Sequence, residues 1–154
     1  MTSQRVTVRV QIDDFDQAAE TSLLTKGRTD IGAVATFCGL CRGESDTLTA
    51  LELEHYPGMA ESEIETAALD AVKRWPIEWL TVIHRYGKIA PGEQIVLVIA
   101  TSRHRDAAFN GARYVMDFLK TNAPFWKKEH RVDGVEGKWV DAREEDEVAK
   151  ERWK

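Results

Sequence analysis

Two long apolar segments joined by a short turn constrain the fold more than any other feature of the chain. They are WLTVIHRYG (79–87) and EQIVLVIATS (93–102), and the turn between them contains Pro91-Gly92. Runs of this length, rich in β-branched and aromatic residues and bounded by turn residues, are typical of strands. The sequence therefore predicts two strands of one sheet at 79–87 and 93–102.

A helix is predicted directly after these strands, over about 104–121, with Thr101 or Ser102 as possible N-caps. Its expected apolar stripe consists of Phe109, Ala112, Met116 and Leu119. Pro124 disfavours helical geometry at Ala123 and ends the helix. FWKKEH (125–130) is then expected to form another strand.

The other elements follow from the same patterns. Strands are expected over 5–12, 31–37 (buried) and 48–56, and helices from Asp13 or Asp14 to about Lys26 and over 60–75. CGLCRGES is expected to form a loop. After residue 131 we expect a turn, the short strand KWVDA and a charged helix from Arg143. Strands and helices mix without strict alternation. We therefore expect one α+β domain over 1–154, built in two layers with additional antiparallel strands.

Composition excludes several classes of protein. The chain has no apolar run of bilayer-spanning length and no signal segment at its start, so we expect a cytoplasmic protein without a membrane partner. Its net charge of −5 argues against a general nucleic-acid binder. Cys38 and Cys41 form a CxxC pair, but no thioredoxin-like context or finger-like histidine spacing accompanies it. We therefore expect no metal site, although a redox role for the pair stays open.

Positive charge is concentrated in one segment of this acidic chain. Residues 103–131 hold seven basic and three acidic side chains, a balance of +4 that leaves −9 for the rest. His104 and Arg105 stand at the expected helix start, where free backbone N–H groups favour an anion. The alternative is a solvated pair of surface charges. The segment predicts a site for a small anion or an acidic peptide tail.

Lys120 closes the same helix, and a strand after the turn would return Lys127 to the same place. Repulsion between two nearby ammonium groups favours loss of a proton from one of them, which suits proton transfer. Arg105 and Lys120 are fifteen residues apart, about 22 Å along a helix. One small ligand cannot easily touch both on one chain. Either they form separate sites, or a homodimer brings one chain's helix start to its partner's helix end.

Five blocks of sequence, in this order, resemble the large (catalytic) subunit of molybdopterin synthase. They are GAVATFCGLCRG, LELEHYPGMAE, VIHRYGKIAPGE, TSRHRDAAF and FLKTNAPFWKKE, and the similarity extends from about Asp30 to Arg143. The resemblance implies an α/β-hammerhead fold and a homodimer within a heterotetramer. It also implies a partner, a small ubiquitin-like sulfur carrier that ends in a Gly-Gly thiocarboxylate.

The resemblance implies sulfur transfer from that carrier to cyclic pyranopterin monophosphate, which creates the dithiolene of molybdopterin without a cofactor. It implies catalytic roles for Lys120 and Lys127. The remaining implied positions are substrate-binding Arg42, His104, Arg105, Lys128 and Glu129, with looser matches at Phe37, Met116 and Arg143. The chain departs from the family at Leu40, where a basic residue is frequent, so Arg42 is expected to supply more of the anion binding in that loop.

Two other interpretations stay open on the residues alone. The basic segment with Phe125 and Trp126 would also suit a non-catalytic module that binds an anion or an acidic tail. Arg105 and His104 would also suit a phosphoester-processing enzyme, although no paired metal-binding carboxylates lie near them in the sequence.

Overall fold

The computed structural model describes residues 5–43, 47–122 and 125–132. Its elements in chain order are β1 (Val6–Gln11), α1 (Gln17–Thr25), β2 (Ala33–Leu40), β3 (Leu48–His55), α2 (Met59–Arg74), β4 (Ile77–Arg85), β5 (Gly87–Ile89), β6 (Gln94–Ser102), α3 (Arg105–Thr121) and β7 (Phe125–Arg131). The predicted α+β class is confirmed. The turn, strand and helix predicted beyond 132 lie outside the described residues.

The two apolar segments lie at the centre of a four-stranded sheet with the order β1-β4-β6-β2. β4 and β6 are antiparallel, with Leu80 opposite Ala100 and Val82 opposite Val98. β1 joins the free side of β4 in parallel. Because both central strands have neighbours on both sides, nearly all their side chains are buried, as their composition predicts.

A three-stranded sheet with the order β5-β3-β7 forms the second sheet. β3 and β7 are antiparallel, with Leu53 opposite Lys127 and His55 opposite Phe125. The sequence analysis did not predict β5. It begins at Gly87, whose φ of 89° lies in the left-handed region that glycine tolerates, so the chain leaves β4 there and pairs with β3.

Helices α2 and α3 cover one face of the four-stranded sheet, and their alanine-rich faces bring them close to the strands. Ala68, Ala71 and Ala112 are buried there with Val82 and Val98. On the other face of the sheet, Phe15 and Leu24 pack against Ile83, Leu97 and Ile99. Helix α1 itself buries no residue fully.

The predicted buried strand at 31–37 is wrong in burial and in extent. The strand observed is β2 (Ala33–Leu40), so it includes the first three residues of the CGLCRGES segment that was expected to form a loop. Among the described residues β2 is an edge strand that pairs with β6 alone, and Val34 and Phe37 are each 42% exposed. The sequence pattern of a buried strand does not distinguish it from an apolar edge strand.

Two helix details also differ from prediction. Helix α1 is capped by Asp16, whose carboxylate accepts the Ala19 N–H, rather than by Asp13 or Asp14. Phe109 is 64% exposed, whereas the rest of the predicted α3 stripe is buried. Phe109 therefore lies outside the face of α3 that packs on the sheet.

Candidate active site

Helix α3 separates the predicted site residues into two groups. His104 and Arg105 lie at its start, and Lys120 lies in its last turn. Fifteen residues at 1.5 Å each place Arg105 and Lys120 about 22 Å apart along the axis. The helix is unbroken between them, so the separation expected from the sequence holds in the structure.

The first group surrounds the N-terminus of α3. His104 is the N-cap residue, in extended conformation, and its side chain makes no cap hydrogen bond. The predicted caps Thr101 and Ser102 belong to β6 instead, and the Ser102 hydroxyl accepts the His104 N–H at 3.3 Å. His104 and Arg105 are both exposed. Two cationic or hydrogen-bonding side chains beside free helix N–H groups suit a phosphate.

The approach of another backbone fixes the position of this helix start. The Gly32 N–H donates to the Ser102 carbonyl at 3.0 Å. A Cβ on Gly32 would lie 2.2 Å from the carbonyl oxygen of Arg103. Glycine at position 32 is therefore required for β2 to approach the chain just before His104.

The second group lies at the other end of α3, where β7 returns. Phe125 and Lys127 point to the same face of the second sheet as His55, and Lys128 points to the opposite face, as strand alternation predicts. The Phe125 ring stacks on His84 of β4, with ring centroids 4.0 Å apart and an interplanar angle of 14°. This contact joins β7 to the four-stranded sheet.

His84 is a buried histidine that feels the charge of both predicted catalytic lysines. Its pKa is lowered to about 4, first because the ring is buried, and further by the charges of Lys120, His55 and Lys127. Lys120 of α3 and Lys127 of β7 therefore both lie within electrostatic range of one buried imidazole. The sequence analysis did not find His84, although a histidine within an otherwise apolar strand is a signal that could have identified it.

A second buried histidine, His55, packs beside the same aromatic rings. Its ring lies 4.4 Å from Tyr86 and 5.8 Å from Phe125, measured between centroids. Its Nε2 is 3.9 Å from the Glu61 carboxylate. Its Nδ1 is buried and has no hydrogen-bond partner among the described residues. The rings of His55, His84, Tyr86 and Phe125 thus form one cluster between the two sheets.

Arg42 lies at the lysine end of the fold. It follows β2, whose Leu40 is opposite Gln94, at the start of β6. The neighbouring Cys41 is buried and exchanges backbone hydrogen bonds with the 90–93 turn, donating to Glu93 O at 2.8 Å and accepting from Gly92 N at 2.6 Å. The Arg42 side chain is exposed. The loop is therefore anchored while its arginine faces solvent.

The other positions implied by the resemblance are distributed unevenly. Glu129 shares the inner face of β7 with Lys127, and its carboxylate accepts a hydrogen bond from Arg131 at 2.5 Å. Lys128 is opposite Glu52 in the β3–β7 register. Met116 is 8% exposed and belongs to the core between α3 and the sheet. Arg143 lies outside the described residues.

The surroundings of the CxxC pair favour the protonated thiols. Burial raises the pKa of both Cys38 and Cys41, with smaller contributions from Asp14 and Glu93 respectively. Their thiols therefore remain protonated near neutral pH. Within residues 5–43, 47–122 and 125–132, no group of three or more His, Cys, Asp or Glu side chains is placed to hold a metal ion.

Comparison with known proteins identifies the class. The family model described as MoaE protein matches residues 10–122. The molybdopterin synthase catalytic subunit of Mesorhizobium japonicum is 64% identical over 148 residues, which cover 96% of this chain and 93% of that protein. The solved molybdopterin biosynthesis MoaE protein from Burkholderia ambifaria has 48% identity and a TM-score of 0.82, covering 96% and 97% of the two chains.

The chain belongs to the MoaE family. The molybdopterin synthase from Staphylococcus aureus, solved by crystallography, has the same fold at 26% identity, with a TM-score of 0.75 over 91% of this chain and 98% of that one. The resemblance expected from the five sequence blocks is thus confirmed, as is the expectation of an enzyme of molybdopterin biosynthesis. No helix among the described residues is long and apolar enough to cross a membrane.

Proposed function

We propose that this chain is the catalytic subunit of a molybdopterin synthase and that Lys120 and Lys127 are its catalytic lysines. It transfers sulfur from the thiocarboxylated Gly-Gly end of a small ubiquitin-like carrier to cyclic pyranopterin monophosphate. The observation that supports the assignment of the site is that Lys120 and Lys127, from two different elements, both add their charge to the effect of burial in lowering the pKa of His84. The two free thiols, Cys38 and Cys41, suit the reducing cytoplasm, where we place the activity.

Each group of residues suits one part of the substrate. A phosphate needs donors fixed in space, and His104 and Arg105 present theirs at a helix N-terminus. When the carrier's acyl carbon is attacked and sulfur leaves, negative charge develops on oxygen and sulfur. The ammonium groups of Lys120 and Lys127 stabilise that charge, with Lys120 also acting as acid or base. Arg42, Lys128 and Glu129 would flank the incoming tail and pterin.

A complete site requires two copies of the chain. The phosphate-binding end and the lysine end of one α3 are about 22 Å apart, farther than one small substrate reaches. A homodimer that places Arg105 of one chain beside Lys120 of the other would unite them. The edge strand β2 supports this arrangement, because it exposes Val34, Phe37 and Leu40 along one edge of the sheet. With two carriers bound, the assembly would be a heterotetramer.

The assignment of Lys120 is tested by substitution. We expect Lys120→Ala to bind the carrier normally and to form little dithiolene, a loss of at least about a hundredfold, because charge on the reacting oxygen and sulfur is no longer stabilised. The matched control is Lys73→Ala, since Lys73 is also an exposed lysine in the last turn of a helix. Near-normal turnover by Lys120→Ala would contradict the assignment of Lys120 as a catalytic residue.

The composite site is tested by mixing two inactive variants. Lys120→Ala and Arg105→Ala homodimers should each be nearly inactive. After subunit exchange, half of the dimers are mixed, and each mixed dimer contains one site with both residues intact. Activity should therefore return to about a quarter of the wild-type value. A mixture that stays inactive after proven exchange would show that the two residues act within one chain.

A further inference from the structure

Cys41 is the buried member of the CxxC pair, and the proposed sulfur transfer uses neither thiol. Its side chain is 3% exposed, whereas Arg42, the next residue, is exposed. Burial raises the pKa of the Cys41 thiol, so little thiolate forms near neutral pH. A buried cysteine of this kind packs as a small apolar residue. Cys41 therefore contributes through its contacts.

The backbone of Cys41 is held by the 90–93 turn. Its N–H donates to the Glu93 carbonyl at 2.8 Å, and its own carbonyl accepts the Gly92 N–H at 2.6 Å. Two hydrogen bonds to one turn fix both the position and the direction of the chain at Cys41. The backbone therefore enters Arg42 from a fixed point.

The residue on the other side of Arg42 lies against the same turn. A Cβ built on Gly43 would lie 3.5 Å from the Cβ and 4.0 Å from the Cγ of Pro91. Gly43 is thus within about one side-chain atom of the proline ring. Both neighbours of Arg42 are placed by a single turn.

The 90–93 turn is itself well defined. The Glu93 N–H donates to the Ala90 carbonyl at 3.0 Å, and the Glu93 carboxylate accepts the Ala90 N–H at 2.6 Å. Pro91 stands at the second position, and Gly92 stands at the third with a φ of 90°. This is the arrangement of a type II turn, which requires glycine or asparagine at the third position.

The side chain of Cys41 connects this loop to the second sheet. It belongs to a small buried cluster with Leu53 of β3 and Ile89 of β5. Leu53 is opposite Lys127 in the β3–β7 register, and opposite side chains of an antiparallel pair lie on the same face. Cys41 therefore packs on the strand that is paired with Lys127.

We propose that Cys41 is a positioning residue, which fixes Arg42 against the strand pair that carries Lys127. This inference rests on the proposed function, because it takes Arg42 and Lys127 to act on the same substrate. Backbone hydrogen bonds hold Cys41 to the turn, and apolar packing holds it to β3. Arg42 thus extends from a fixed backbone, so less conformational entropy is lost when its guanidinium binds an anion.

The first test measures the anchoring without substrate, by nitrogen relaxation NMR of the whole chain. The Arg42 N–H should be rigid in the wild type, with an order parameter of about 0.85, and fall below about 0.6 in Gly92→Ala, because alanine disfavours a positive φ. Gly92→Asn should retain the wild-type value.

Gly27→Ala is the matched control for this measurement. Gly27 follows α1, has a φ of 76° and, like Gly92, has open space where a Cβ would stand. The same backbone strain is thereby introduced away from Arg42, whose order parameter should not change. A mobile Arg42 backbone in the wild type, or an unchanged order parameter in Gly92→Ala, would overturn the proposal whether or not the proposed function holds.

The second test asks whether the turn acts on the reaction through Arg42. In Gly92→Ala we expect the KM for cyclic pyranopterin monophosphate to rise at least about fivefold with a smaller change in kcat, because a displaced binding group weakens substrate binding. In an Arg42→Ala background the same substitution should have no further effect on KM, since both changes remove one interaction.

Additive effects of the two substitutions would overturn the proposal, because the turn would then act independently of Arg42. A general loss of stability would lower the apparent kcat and leave KM unchanged, and this result would also overturn it. A wild-type KM in Arg42→Ala alone would refute the binding role of Arg42 given by the proposed function, and with it the role of Cys41 in the reaction. The NMR result would still show separately whether the anchor exists.

The third test separates packing from thiol chemistry. Cys41→Ala should raise the same KM about threefold, and Cys41→Val, which restores apolar volume, should bring it back toward the wild-type value. Cys38→Ala is the control, because Cys38 is the half-buried cysteine of the pair. Equal loss of kcat in Cys41→Val and Cys38→Ala would indicate thiol chemistry and overturn the proposal. If the Cys41 variants fail to fold, the Gly92 measurements decide.

Discussion

Gly32→Ala should damage the end of the proposed site that holds His104 and Arg105, while leaving the lysine end intact. The new Cβ would lie 2.2 Å from the Arg103 carbonyl oxygen, and Cβ atoms essentially never approach other heavy atoms within 3.0 Å. The two backbones must therefore separate by about 0.8 Å, the difference between these distances. Overpacking of this kind costs about 1–3 kcal/mol. For a chain of this size that corresponds to a fall in Tm of about 2–12 °C.

The shift also reaches the chemistry, because Arg103 directly precedes His104 and Arg105. A displacement of catalytic or binding groups by about 1 Å reduces turnover by up to about a hundredfold. We expect thermal unfolding to show the lower Tm, and dithiolene formation at saturating carrier to fall at least about tenfold, with carrier affinity unchanged. In the control Gly43→Ala the new Cβ lies 3.5 Å from Pro91, an ordinary contact, so the Tm should be preserved. Wild-type Tm and turnover in Gly32→Ala would refute this reasoning.

Three further predictions concern stability and reactivity. Because burial lowers the pKa of His84 from 6.5 to about 4, the unfolded chain binds a proton between these pH values that the folded chain lacks. The free energy of unfolding, measured in urea, should therefore fall by on the order of 3 kcal/mol as the pH drops from about 6.5 to about 4. The fall should be smaller in His84→Gln, which has no imidazole to titrate. Tyr114→Phe removes the hydroxyl that donates to Asp70 and should lower stability by about 0.5–1.5 kcal/mol without changing turnover; an unchanged denaturation midpoint would contradict this. Cys41, buried and with a raised thiol pKa, should react with iodoacetamide at pH 8 only after unfolding, as followed by mass spectrometry, and equally fast labelling of the folded chain would contradict its burial.

The sequence predicts the elements whose patterns are long and locally complete. β4 and β6 follow from apolar runs, and α2 and α3 follow from helical periodicity with Pro76 between α2 and β4. β5 has only three residues, too few for a periodic signal. β2 has the composition of a buried strand, but its position at the sheet edge depends on which strand pairs beside it. That pairing is a property of the whole chain.

The same limit applies to the candidate site: residues of one element can be located from the sequence, and contacts between distant elements cannot. Arg105 and Lys120 can be located from the sequence because one helix carries both, and His104 is its N-cap residue. His84 could not be connected to the lysines from the sequence, because the contact forms only when β7 crosses back to the four-stranded sheet and stacks Phe125 on it. Its partner is 41 positions away along the chain, and local patterns contain no information on such a contact.

Reconstitution from purified components tests the central claim most directly. The chain is mixed with a carrier whose C-terminal Gly-Gly ends in a thiocarboxylate and with cyclic pyranopterin monophosphate, and dithiolene is quantified together with carrier binding. We predict dithiolene at two sulfurs per pterin, with one thiocarboxylate consumed for each sulfur transferred. Stable carrier binding without any dithiolene would contradict the account and favour a non-catalytic module that binds acidic tails.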